Sequence, residues 1–420
     1  VKLLGSPERL LVTIVGLISF LSGMVFSMVG ALAPMLQKDL GIPAQSIGTI
    51  MGVYMLASAV SGFLGTLYLD RFDRRKGLTV TLTGVVVGLV LTALAPNLHL
   101  LIAARILSGV FAGPSSALAV AIVIDNIPAE RRGSALGSVA AFGGLAQIIG
   151  IPVGLVVAQW FDSWRSPFFG IAGVGALLAI WVIWNLPSQR AHLDRADVDV
   201  TVRRRLRLLG ELLSRPICLV AFGLQLTGIV PLVAITTIMS VFLVNNLGYP
   251  QSQLTTLYFV GGGINVLISR YIGRAVDLVG PGAVALASTV LLSAAIMMGY
   301  MGLNPGLPLV AIFTLFFFTS SGRLVVAQTI TLRIPQPEER AGFQSLSQSI
   351  QSFAMAMSAL SIPHLLGSTP DGRFTHVIPF AAGVLAVTWL FPGLVYWLDA
   401  LLARRDRTII LPAGAPVPAE

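Results

Sequence analysis

The chain has 420 residues, of which 55% are hydrophobic and only 11% charged, with a formal net charge of +9. Soluble domains carry about 25% charged residues, so a chain this long cannot cover a water-facing surface, and the bilayer is the solvent left for it. The positive charge is no nucleic-acid footprint, because basic residues of membrane proteins gather in cytoplasmic loops. The single cysteine, Cys218, excludes an internal disulfide framework and a multi-cysteine metal site; it reads as a small core residue.

A spanning helix needs roughly 20 apolar residues. Apolar segments fall at 10–36, 46–69, 78–96, 99–124, 134–158 and 167–187, and again at 216–245, 253–272, 281–303, 307–331, 342–366 and 378–400. The first is too long for a signal-peptide core and reads as a first span. Twelve spans in two six-helix bundles, 1–187 and 215–420, are expected. Between them, 188–214 is polar and rich in arginine and aspartate, and reads as a cytoplasmic linker. There is no Asn-x-Ser/Thr sequon.

With the N-terminus inside, the inner loops hold Arg71, Arg74, Arg75, Lys76, Arg131, Arg132, Arg274, Arg333, Arg340 and Arg404, whereas the outer loops hold Lys38, Arg165 and Arg373. The asymmetry predicts that both termini are cytoplasmic, and the absence of a sequon is compatible with the expected location, a bacterial inner membrane. The chain also repeats. Pro128-Ala-Glu130-Arg131-Arg132-Gly133 returns as Pro337-Glu-Glu339-Arg340-Ala341-Gly342, Asp70 as Asp277, Ile151-Pro152 as Ile362-Pro363, and Pro167-Phe168 as Pro379-Phe380. The offsets grow slowly from 207 to 212, as a duplicated six-span unit with small insertions requires. Transporters carry such repeats with the substrate site between them at the midplane.

Three local patterns carry chemistry. After span two the chain reads Thr66-Leu67-Tyr68-Leu69-Asp70-Arg71-Phe72-Asp73-Arg74-Arg75, and its second-half counterpart reads Gly273-Arg274-Ala275-Val276-Asp277. A carboxylate at a helix end accepts bonds from a neighbouring helix N-terminus, and flanking arginines pair with carboxylates of the facing loop, so Asp70, Arg71, Arg74, Arg75, Gly273, Asp277, Glu130, Arg131, Glu339 and Arg340 form a candidate gate. Span four reads Arg105-Ile-Leu-Ser-Gly109-Val-Phe-Ala-Gly113-Pro114; small residues four apart let helices approach closely. Span five reads Gly144-Leu-Ala-Gln147-Ile-Ile-Gly150-Ile-Pro152-Val-Gly154, in which Gly150, Pro152 and Gly154 bend the span or admit a neighbour.

These patterns resemble the major facilitator superfamily over residues 10–400, and within it the drug:proton antiporter-1-like branch. The loop after span two follows G-x-x-x-D-R-x-G-R-R except at its glycines, replaced by Thr66 and Asp73; span five follows G-x-x-x-G-P-x-x-G with Ile151 inserted before the proline. The resemblance implies two six-helix bundles around a cavity that opens alternately to either side, lined by spans one, four, seven and ten, and it implies export.

The repeat places Arg323 on Pro114, near the midplane of span ten. Under the family fold Arg323 and Arg105 face the cavity, with Gln225 and Gln328 as further solute contacts. Two other readings stand: Arg105 snorkels from the outer end of its span, and Arg323 locks two spans by binding helix carbonyls. Gln344, Gln348 and Gln351 share one face of span eleven, as helix glue or as a solute face. None of the 18 acidic residues falls near the centre of a span, so any proton coupling is expected at Asp125, the inner end of span four, with His364 as the alternative.

No P-loop, catalytic set, metal cluster or cofactor site is legible, and no enzyme is expected. The expected function is secondary active transport by a monomer in membrane lipid. Proton-driven export of a small amphipathic or organic-anion-like solute comes first. An uncoupled facilitator or importer of a small anionic metabolite is the alternative, and a ligand-sensing receptor is a distant one. No nucleic-acid partner is expected.

Overall fold

The computed structural model describes residues 6–69, 72–188, 210–335 and 340–410. The first half contains α1 (Ser6–Leu40), α2 (Ser46–Tyr68), α3 (Arg74–Leu94), α4 (Leu98–Asn126), α5 (Ala129–Leu145, continued through Ala146–Gly150 and Ile151–Trp160) and α6 (Arg165–Asn185). The second contains α7 (Pro216–Val241, continued through Phe242–Asn246), α8 (Leu254–Val279), α9 (Pro281–Tyr300), α10 (Leu309–Thr331), α11 (Arg340–Leu365) and α12 (Val377–Ile410). The twelve helices form two six-helix bundles, as the repeat predicts. A two-stranded hairpin, β1 (Gly367–Ser368) and β2 (Phe374–Thr375), joins α11 to α12.

Lipid leaves a backbone no partner but itself, which is why helices span. Among the described residues ten helices are long and apolar enough to cross a membrane. α8 and α11 fall short: α8 ends in Arg270, Arg274 and Asp277, and α11 carries Gln344, Gln348, Gln351 and a run of serines. Both are helices at which the two halves meet. Polar residues also fix the helix starts. The carboxylate of Asp73 accepts from the Arg75 amide at 2.9 Å to cap α3, and Asn97 accepts from the Leu100 amide at 3.0 Å to cap α4. Gly280, at φ +86°, turns the chain between α8 and α9, a conformation that glycine adopts at little cost.

The halves meet along α2–α11, α5–α8 and α1–α7. The molecule has two ends: a hairpin end, which carries β1–β2, and a basic end, which carries Arg74 and Arg131. At the hairpin end the apolar cores of the halves merge into one cluster that includes Ile47, Ile50, Ala359 and Ile362. At the basic end the second half keeps a separate cluster of its own, with Cys218, Phe222, Val276, Phe343 and Leu402. The core is therefore continuous at one end and split at the other.

Candidate functional site: a cleft with two gates

The two halves close on one another at the hairpin end. Glycines bring α2 onto α11: a Cβ on Gly48 would lie 2.5 Å from the Ala359 carbonyl oxygen, and one on Gly52 would lie 2.6 Å from Leu360 Cγ. Ile362, packed there, is 0% exposed. Gln344 lies eighteen residues earlier on α11, five turns at about 3.6 residues per turn, and therefore on the same face. It is exposed, as is Gln348. One face of α11 is thus sealed at the hairpin end and open at the basic end, and a cleft runs between.

Polar bonds reinforce the seal. Gln37, at the end of α1, donates through Nε2 to the Gly372 carbonyl at 3.3 Å and accepts from Asn245 Nδ2 at 3.0 Å. Asn245 also donates to the Gly372 carbonyl at 2.9 Å. Its neighbour Asn246 pairs with Phe374 like an added strand, with both bonds at 2.9 Å. Asn245 and Asn246 end the π-helical turn of α7, so the end of α7 and the hairpin form a socket within the second half, and Gln37 reaches it from the first. Gln159 of α5 also donates to Thr255 of α8 at 3.4 Å. Behind the seal, Asp39 accepts from the Trp164 indole at 2.8 Å and pairs with Arg165.

At the basic end the candidate gate residues behave differently from one another. Asp70, Arg71 and Glu339 lie outside the described residues. Arg74 Nε meets Asp125 Oδ2 at 2.5 Å, joining the start of α3 to the end of α4. Asp73, which stands where the family loop has glycine, is buried and also accepts from Ser188 at 2.5 Å. Arg75 donates to the Ile183 carbonyl, and Arg131 pairs with Glu8 at 2.8 Å. Glu130 and Arg340 begin α5 and α11. Asp277 is exposed, and a Cβ on Gly273 would meet nothing within 4 Å, so in the second half this glycine answers no close approach.

The two buried arginines depart from expectation. Arg105 does not snorkel: it is 0% exposed, stacked 4.2 Å from the centre of the Tyr54 ring of α2. Arg323 is also 0% exposed and does not face the cleft. Its Nη2 donates to the carbonyls of Thr227 on α7, at 2.9 Å, and Thr388 on α12, at 3.2 Å, and its guanidinium lies 4.4 Å from the Phe391 ring centre. The carbonyl-lock reading is the geometry seen. Gln328, five residues further along α10 and so round on another face, is exposed. Gln225 is buried and accepts from Gln351 at 2.8 Å.

Asp125, the candidate proton site, is held by Arg74, and His364 is exposed at the hairpin end. The helix-packing residues are tight. A Cβ on Gly109 would lie 2.4 Å from the Tyr54 carbonyl, one on Gly113 2.1 Å from that of Ser58, and ones on Gly150 and Gly154 within 2.7 Å of Met24 and Met28 of α1. The residue inserted before Pro152 has a structural counterpart in the π-helical turn Ala146–Gly150, since a π turn absorbs one extra residue. Between α5 and α8 an apolar lateral cavity of about 420 Å³ is lined by Pro152, Val153, Val156, Trp160, Thr255 and Phe259.

Sequence reasoning missed the Gln37 socket, the Asp73 cap and a second amide contact, Gln147 Nε2 donating to Ser27 Oγ at 2.6 Å. Only the cap had a visible signal, an aspartate directly before a helical run.

Comparison with known proteins agrees with this architecture. Among solved structures, a bacterial homologue of the human lysosomal transporter Spinster aligns over 99% of this chain and 100% of its own, with TM-score 0.63 and 16% identity. A D-xylose-proton symporter aligns over 90% and 97%, with TM-score 0.69 and 16% identity. In sequence, the uncharacterized MFS-type transporter YbcL of Bacillus subtilis is 26% identical over 355 residues, 82% of this chain and 86% of its own. The triacylglyceride transporter Rv1410c of Mycobacterium tuberculosis is 27% identical over 173 residues, and there the match spans 39% of this chain and 33% of the relative. The family model described as Major Facilitator Superfamily matches residues 15–359, and the chain is a membrane transporter of that superfamily.

Proposed function

We propose that the protein exports an amphipathic organic solute across a bacterial-type inner membrane by alternating access, as a monomer whose basic end, linker and termini face the cytoplasm. The observation that carries this reading is the single face of α11 that is sealed at Ile362 and open at Gln344. With the basic end inside, this is the state that loads solute from the cytoplasm. The apolar cavity at the α5–α8 seam suits the alkyl part of such a solute, and relatives named as triacylglyceride transporters are consistent with it. An organic anion loses its main support, because Arg105 and Arg323 are both closed off from the cleft.

Proton coupling of the antiporter kind runs through Asp125, whose bond to Arg74 joins the two helix ends behind the gate. An uncoupled facilitator is the second reading, favoured by the lack of any acidic residue near the centre of a span. Solute flux from proteoliposomes under an imposed pH gradient tests both. Coupling at Asp125 predicts a steep response that Asp125→Asn flattens at least tenfold. A steep response that survives both Asp125→Asn and His364→Ala refutes it, and a flat response in the wild type establishes the facilitator.

A further inference from the structure

A guanidinium stays ionised in any protein environment, so a buried one needs its charge and its N–H groups met where it lies. The chain buries two within its spans and treats them differently. Arg323 keeps one nitrogen on the Thr227 and Thr388 carbonyls, at 2.9 and 3.2 Å, with Phe391 beside it. Arg105 has the Tyr54 ring centre at 4.2 Å, but its Nε, Nη1 and Nη2 are all buried without a hydrogen-bond partner among the described residues. A ring face returns less than the removal of a cation from water costs.

The carboxylates of the first half are committed elsewhere. Glu8 pairs with Arg131, Asp39 with Arg165 and Trp164, and Asp125 with Arg74, while Asp73 caps α3. Asp162 is exposed in the turn between α5 and α6. Asp125 stands twenty residues further along α4 than Arg105, about 30 Å away by helical rise. Asp70 and Glu130 fall in sequence at the basic end, sixteen residues past Tyr54 and twenty-five past Arg105. Among the described residues of this half, nothing is left to neutralise Arg105.

The surroundings set the size of what can compensate the charge. Arg105 lies seven residues into α4, about 10 Å from the hairpin end of that helix. Leu101, Ala104 and Ser108 on the same stretch are buried, and Tyr54 is 3% exposed. One turn on, a Cβ on Gly109 would lie 2.4 Å from the Tyr54 carbonyl, so backbones this close leave no room for a polyatomic anion. A buried water meets the N–H groups but leaves the charge. Tyr54 also stands three residues past Met51, whose sulfur would lie 3.3 Å from a Cβ on Gly30, and that Cβ would lie 3.5 Å from the Thr236 carbonyl of the other half. The guanidinium therefore lies just beneath the place where α1 meets α7.

We infer that Arg105 and Tyr54 form a binding site for a small monovalent inorganic anion of the halide class, chloride in a cell. The edge of the guanidinium donates its N–H groups to the ion while the Tyr54 ring covers its face. Both residues belong to the first half, so the ion rides with that half through the transport cycle as a resident and not as cargo. The site holds whichever solute is carried and whether or not a proton accompanies it.

The test uses purified full-length protein in nanodiscs, with chloride or bromide replacing gluconate at constant ionic strength. The unfolding temperature of the wild type should rise by a few degrees and saturate with halide, as a ligand of the folded state requires, and radiolabelled chloride should bind saturably. Arg105→Leu removes a lone buried charge and leaves no partner unmet, so it should fold, show no halide-dependent rise and bind no chloride. General salt effects act on wild type and variant alike and cancel in the comparison. If the leucine variant does not fold, Arg105→Lys replaces it, with halide affinity lowered about tenfold because the planar donor fork is lost. A wild type whose stability is indifferent to halide overturns the site. So does a halide response, or chloride binding, that persists undiminished in the Arg105 variants.

Discussion

Replacing Gln37 by alanine should shift the protein toward the state open at the hairpin end. Gln37 is the first-half member of the polar socket, and its two bonds, to Gly372 and from Asn245, must break when the halves part there. Asn245 keeps its own bond to Gly372 in the variant, so the substitution leaves that carbonyl satisfied and removes only contacts between the halves. Two neutral hydrogen bonds at roughly 1 kcal/mol each give about 2 kcal/mol, or roughly a 30-fold change in the ratio of states. Spin labels at Asp162→Cys and Asn304→Cys, in a Cys218→Ser background, report the distance across the hairpin end by pulsed electron resonance. The expected result is a new long-distance population. Gly372→Ala gives an independent check. Its Cβ would lie 2.2 Å from Gln37 Nε2 only while the seal is closed, whereas the strain of φ +76° acts in both states, so it should shift the distances the same way. Distances unchanged in both variants would refute the latch.

Two further outcomes follow from packing. Gly113→Val should lower thermal stability in detergent by several kcal/mol, because its Cβ meets the backbone at Ser58 and Gly62, which cannot rotate away, while Gly273→Ala, in open space, should be neutral or slightly stabilising; equal losses in the two would contradict the model of α2–α4 contact. Arg323→Leu should destabilise the second half by leaving the Thr227 and Thr388 carbonyls without their guanidinium, and Arg323→Lys should recover part of the loss; the reading fails if stability is unchanged while preference for anionic ligands is lost.

The fold was legible because its signals are local and repeated. Apolar runs, loop charges and the offsets between Asp70 and Asp277 or Pro152 and Pro363 depend on nothing distant, and the twelve helices stand where those runs lie. The glycines of span four were legible for the same reason, since close approach needs small residues at helical spacing. The site was less so. The offset gives Arg323 an expected depth, but depth does not give azimuth: the Thr388 carbonyl, which accepts its hydrogen bond, lies on α12, and no pattern in span ten indicates that neighbour. The Gln37 socket joins residues more than 300 positions apart in sequence, and polar residues at helix ends carry no mark of a partner. Ile151 reads in the sequence as a flaw in a motif. In the structure the surplus residue has become a π turn that sets Gly150 and Gly154 against α1.

The contacts also divide by whether a rocking motion must break them. Arg74 with Asp125, Arg131 with Glu8, and Asn246 with Phe374 each lie within one half and survive it. Gln37 with its socket, Gln159 with Thr255, and the packing of Gly48 and Gly52 on α11 lie between halves and do not. Parting Gly48 from Ile362 onto lipid costs little, since acyl chains replace one apolar neighbour with another. Parting them onto a water-filled cleft exposes apolar surface at about 25 cal/mol per Å². The seal is therefore held by water's exclusion from the cleft more than by its few polar bonds. On the proposed export reading, a solute that fills the cleft with its alkyl chain lowers the cost of opening the hairpin end, so an amphipathic cargo would favour its own release.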